Sequence, residues 1–151
     1  MIRREDGKAA DRFAEAIVIL RDYNEELTPE VFPSMVRALL RAGRTRDAED
    51  YRDLSTHGKS PHARANATLV EGLLAPDPSD ARRLLADGTA ELERLGLPID
   101  TARAMVDLGR AMARLGEDPG PVLERAREIL VECDARAFLF EVDDAIADIS
   151  R

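Results

Sequence analysis

The sequence predicts an all-α fold, an array of antiparallel helix pairs, and three observations lead there. Apolar residues recur at three- and four-residue steps in segment after segment, the spacing of one helix face. Glycine and proline fall mainly between those segments, as punctuation. Aromatic residues make up only 4% of the chain, with no tryptophan. Its core must therefore be built from Leu, Ala, Val, Ile and Met, which suits closely packed helices and suits a β-sandwich badly. At 151 residues and 44% hydrophobic, the chain is long enough for one domain with a real core.

The elements follow in order, about eight helices in all. The first is expected over 8–25, with Ala9, Phe13, Ala16, Ile17 and Leu20 on one face. Thr28 can cap the second, and Pro29 fits its first position, where no amide hydrogen is needed. That helix continues to about 42 through Phe32, Met35, Val36, Leu39 and Leu40, and Gly43 closes it in a left-handed conformation. A third helix is expected over 46–55, with Ala48, Tyr51 and Leu54, then a loop over 57–61. The fourth spans 62–75 and is stopped by Pro76-Asp77-Pro78; Ser79 or Asp80 is the expected cap of the fifth, which reaches Leu95 and Gly96. The last three are expected over 99–115, 121–133 and 137–149, with Gly116 ending the first of them.

The segments repeat. Phe32, Met35, Leu39 and Gly43 have the same offsets as Met105, Leu108, Met112 and Gly116, and the two sets lie 73 residues apart, two units of about 36. The expected organisation is a single domain: an incomplete unit over 8–25, units over 28–56, 62–95 and 98–133, and a capping helix over 137–150. Leu108-Gly109-x-x-Met112-x-x-x-Gly116 and Ala9-x-x-x-Phe13-x-x-Ala16, with Ala48 and Pro61, resemble the signature positions of tetratricopeptide repeats. Arg52 departs from that pattern where an aromatic is usual, and the middle unit lacks the Leu-Gly pair. The resemblance implies a superhelix of αα-hairpins whose first helices line a concave surface. Leu97-Pro98, Leu108-Gly109-Arg110, Gly116 and Leu123-Glu124-Arg125-Ala126 also look like the helical tails of large bacterial signalling proteins, where an ATPase module precedes the repeats. That likeness implies a fragment or a free-standing relative. It also leaves the first helix without its partner, and an uncovered apolar face there would favour a homodimer.

Charge and motif content narrow the function. A net charge of −8 opposes nucleic-acid binding. No apolar run is long enough for a membrane span and no signal-peptide core is visible, so a cytoplasmic location is expected. Twenty Arg against two Lys, with abundant Ala, points to a GC-rich bacterial genome. The single cysteine, Cys133, follows Ile129-Leu130-Val131 and reads as a buried, inert thiol.

Gly58-Lys59-Ser60 imitates the end of a phosphate-binding loop, but Asp53 stands where that motif needs glycine and Pro61 interposes before the helix. His57 and His62 have no further ligands at metal-binding spacing, so neither a metal nor a cofactor is expected. Asp143, Asp144 and Asp148 read as a solvated face, and Asn66-Ala67-Thr68, a glycosylation pattern, falls mid-helix. No acid, base and nucleophile set is present, so the chain is expected not to be an enzyme.

One pattern carries a binding hypothesis. Arg37 and Arg41 follow Phe32 by the steps at which Arg110 and Arg114 follow Met105. With the repeat geometry implied above, these arginines and Arg103 face the concave side, and Val70 and Leu74 occupy its middle. A groove reading basic, apolar, basic would take a protein or peptide segment of acidic and apolar character. The simpler reading is that an Arg-rich chain scatters arginines over exposed helices, some answering acidic neighbours. A regulatory domain that senses a small ligand between helices is the alternative function.

Overall fold

The computed structural model describes residues 8, 11, 12, 15, 31–56 and 58–150. The described residues are helical throughout, joined by short turns, with no strand among them. Of the expected helix over 8–25, residues 8, 11, 12 and 15 are described and are helical; its other residues, the Thr28 cap, His57 and the self-association reading of the first helix lie outside the described residues. The chain divides into two compact units, 1–70 and 71–151.

In the first unit, α1 (Val31–Arg41) buries Phe32, Met35, Val36, Ala38 and Leu39, the predicted stripe. Gly43, at φ +75°, closes it: the Arg44 amide donates to the Leu39 carbonyl and the Gly43 amide to that of Leu40. The helix expected over 46–55 is two short ones, α2 (Thr45–Glu49) and α3 (Arg52–Ser55). Glu49 and Asp50 sit at the C-terminal end of α2, where the helix dipole disfavours negative charge, and Tyr51 donates to Ala48 in a tightened turn. Ala48 is fully buried where α2 meets α1. Next, α4 (Pro61–Leu74) begins with the Ser60 hydroxyl accepting from the Ala63 amide at 3.0 Å, and carries the chain into the second unit.

In the second unit, α5 (Pro78–Arg94), α6 (Pro98–Arg114), α7 (Gly120–Glu132) and α8 (Leu139–Ile149) follow. Helix α5 packs on α6, and α6 packs in turn on α7 and α8. The cap of α5 is neither Ser79 nor Asp80 but Asp77, whose carboxylate accepts from both of their amides at 2.9 and 3.0 Å. Pro78 fills the first helical position, so the cap falls one residue before it. Asp77→Ala is expected to lower stability by about 1 kcal/mol, measured as a shift in the urea midpoint with unchanged slope.

Gly96 and Gly116 end α5 and α6 as Gly43 ends α1, at φ +71° and +73°. Asp134 closes α7 in the same way at φ +52°. The expected final helix opens as a tighter turn over Arg136–Phe138 before α8. Cys133 corrects an expectation, being exposed. It lies past the last inward-facing turn of α7, where Ile129 and Leu130 are buried and Val131 already faces out.

Helices α4 and α6 share one buried pattern, and α5 and α7 share another. Ala65, Leu69 and Gly72 recur 37 residues later as Ala102, Val106 and Gly109. Leu85, Gly88 and Leu92 recur 38 residues later as Leu123, Ala126 and Leu130, and all twelve are buried. At the two glycines the next helix comes close. A Cβ on Gly72 would lie 2.8 Å from Leu85 Cγ, and one on Gly109 would lie 2.8 Å from Leu123 Cδ2. The middle pair thus has its small residue in α4, which no Leu-Gly pair marks because Glu71 precedes Gly72 where Leu108 precedes Gly109.

Candidate functional site

The polar face of α6 is the chemically richest surface among the described residues. Asp100, Arg103, Asp107, Arg110 and Arg114 follow one another at steps of three and four, which aligns them along one stripe. Arg103 makes a two-pronged contact with Glu141 of α8: Nε donates to Oε2 at 3.0 Å and Nη2 donates to Oε1 at 2.9 Å. The side chains are 14% and 4% exposed. The Arg103 guanidinium also stands 4.5 Å from the centre of the Phe138 ring. Burial alone would lower the Arg103 pKa. The hydrogen bonds and charge of Glu141, helped by Asp107 and Asp100, outweigh it and hold the pKa above its ordinary value.

Arg110 is less enclosed. Its Nη2 donates to the Glu141 carbonyl at 3.5 Å, and its Nη1 lies 4.0 Å from the buried Asp107 carboxylate. Arg114, at the end of the stripe, is exposed.

The seven residues of the binding hypothesis therefore divide. Arg103 is committed to Glu141. Val70 is fully buried and Leu74 nearly so, which makes them core rather than lining. In α1, Arg37 is buried and Arg41 half-buried, and both have partners within the chain. Arg110 and Arg114 lie together on α6 toward solvent. The carboxylates were missed. Asp107 lies four residues after Arg103 and three before Arg110, a local pairing signal that the sequence does carry. Glu141 is 38 residues from Arg103, and no short-range spacing marks it.

Other candidates resolve into structure. Ser60 caps α4 and the Lys59 carbonyl accepts from Arg64 Nη1, so the loop resembling a phosphate site serves a helix start. Asp143 and Asp148 are exposed, and Asp143 is bound by Arg127. Asn66, on α4 at the position 37 before Arg103, is 3% exposed, and its Nδ2 has no acceptor among the described residues. Among the described residues no group of three His, Cys, Asp or Glu side chains could hold a metal ion. No helix among them is long and apolar enough to cross a membrane.

Comparison with family models, with curated proteins and with solved structures finds no match, so the functional reading rests on the residues described above.

Proposed function

We propose that this chain is a non-enzymatic, tetratricopeptide-like interaction scaffold that binds a peptide or a neighbouring domain in bacterial signalling or regulation, inside the cell. The observation that supports it best is the repeated glycine-on-leucine contact, Gly72 on Leu85 and Gly109 on Leu123, in successive helix pairs 37 to 38 residues apart. Hairpins built to one pattern stack into extended surfaces, and scaffolds of that kind bind partners across the faces of their first helices. In the second unit that face is the α6 stripe, and its solvent end carries Arg110 and Arg114.

The arrangement favours a ligand of mixed character over a strongly acidic one. Asp107 and Glu141 already answer part of the arginine charge, and the chain as a whole is at −8. An arginine fork on that background selects one or two carboxylates at defined places, with the rest of the contact made by apolar area. Arg110→Ala/Arg114→Ala is expected to weaken binding of peptides selected from a displayed library on the intact chain by about tenfold or more. Fluorescence anisotropy reads the affinity, and far-ultraviolet circular dichroism should stay unchanged. Undiminished affinity in the folded double variant would remove the α6 stripe as the binding surface.

A further inference from the structure

The chain carries its own example of what an arginine of the α6 stripe can hold. Phe138 ends the tight turn before α8, and Glu141 lies in the first turn of α8. The two residues are three positions apart, and both side chains reach Arg103. The Glu141 carboxylate accepts from the edge of the guanidinium at 2.9 and 3.0 Å, and the Phe138 ring centre stands 4.5 Å from its carbon. A carboxylate at the edge and a ring on the face together use what a guanidinium offers and an ammonium does not.

The stripe continues past this contact. Arg110 and Arg114 lie about 10 and 16 Å farther along the axis than Arg103, each within about 20° of its direction. Arg110 is partly engaged: its Nη2 donates to the Glu141 carbonyl at 3.5 Å, and its Nη1 lies 4.0 Å from the Asp107 carboxylate. Arg114 is exposed and makes no hydrogen bond or ion pair among the described residues. Leu115, next in the chain, is 38% exposed and leaves apolar area uncovered at the same end of α6. Arg114 therefore shares the direction of Arg103 but has neither of its two contacts.

The charge of the chain limits what can supply them. At −8 it repels a run of carboxylates, so a single carboxylate needs a companion contact that brings no further negative charge. An aromatic ring on the guanidinium face is such a contact.

We infer that Arg114 takes an aromatic ring and a glutamate three residues apart on one helical turn of the partner, as Arg103 takes Phe138 and Glu141, with Arg110 adding positive charge beside it. The partner class is a helical segment of the form aromatic-x-x-Glu. The inference rests on the reading of the α6 stripe as a binding surface and narrows that surface to one ligand pattern.

The probe is a short alanine- and glutamine-based helical peptide with Phe and Glu three positions apart, acetylated and amidated to remove its terminal charges. Control peptides replace Glu by Gln, replace Phe by Ala, or place Glu two positions after Phe, off the shared face. Chemical-shift titration of the intact chain reads the affinities. The patterned peptide is expected to bind at least about tenfold more tightly than each control. Arg114→Ala should abolish that preference, and Arg114→Lys should lose most of it, because an ammonium keeps the charge without the fork. Both changes are at an exposed side chain, and unchanged helical dichroism confirms the fold.

Equal affinity for the patterned peptide and the control with displaced Glu overturns the inference. So does a preference that survives Arg114→Ala, which would place the peptide elsewhere, as by displacing α8 from Arg103. Library-selected peptides that depend on Arg110 and Arg114 but lack the aromatic-x-x-Glu pair overturn it too, and leave the α6 binding reading standing. Selected peptides that bind equally without Arg110 and Arg114 remove both.

Discussion

Glu141→Ala is expected to lower the unfolding free energy by about 3–5 kcal/mol, because it strands a buried guanidinium. Arg103 is 14% exposed and would lose both carboxylate contacts at once. Its stacking on Phe138 would persist, and Asp107 and Asp100 are the carboxylates left to answer its charge. The loss does not measure what the pair adds to stability. Arg103→Met/Glu141→Leu, which removes both charges and keeps their volume, is expected to be neutral or to gain up to about 4 kcal/mol. Urea unfolding of the original chain, both single variants and the double variant closes the thermodynamic cycle. A Glu141→Ala change below about 1 kcal/mol would mean that Arg103 swings into water and that the pair is not desolvated. The contrast between single and double variants assigns the pair a positional role. It fixes where α8 lies along α6, which apolar contacts between Val142, Ala145 and the α6 surface specify less sharply.

The second large effect is at the helix contacts themselves. Gly109→Val is expected to destabilise by about 2 kcal/mol, the net of overpacking and the relief of glycine's backbone freedom in a helix. The first atom in the way is Leu123 Cδ2, which could turn aside. However, Leu123 is 3% exposed and is packed into the α6–α7–α8 core, and Val122 Cγ1 closes another side at 3.4 Å. Gly72→Val should cost more than Gly109→Val, because one of its three nearest atoms is the Leu85 backbone nitrogen at 3.1 Å, which cannot rotate away. Gly109→Val/Leu123→Ala should recover part of the loss, and thermal melts with denaturant midpoints measure all three variants. If Gly109→Val leaves the midpoint unmoved, the helices can separate freely, and the shared glycine contact loses its meaning as a repeat signature.

The sequence made some levels of this structure legible and others not. Helix identity could be read because apolar period and glycine stops are local: Gly43, Gly96 and Gly116 end helices at positive φ as expected. The Asp77 cap was misplaced by two or three residues because Ser79 and Asp80 are equally good capping types, and only the position of Pro78 decides among them. The split between α2 and α3 comes from acidic residues at a helix end, an electrostatic effect that apolar periodicity does not register.

Binding residues were harder to read for a definite reason. The offsets from Phe32 and Met105 carried over well, but the middle pair was aligned on Val70 and Leu74, whereas the contact register places Gly72 beside Gly109. Three residues of slip leave a side chain about 60° round the helix from its counterpart, which at the border of a face is enough to exchange lining for core, and both residues are buried. Arg103 could not be recognised as bound, because its partner is 38 residues distant.

The paired helices reach the same contact through connections of different length. Thirteen positions separate Gly72 from Leu85, and fourteen separate Gly109 from Leu123. The bend between partners therefore acts as slack tether, with alignment dictated by interlocking surfaces farther along. The join between Glu117 and Asp118 is accordingly a permissive place to graft an epitope or a fluorophore-bearing insert, since extra chain there leaves the Gly116 stop and the Asp118 contact with the Gly120 amide in place and is absorbed without disturbing how the rods mesh.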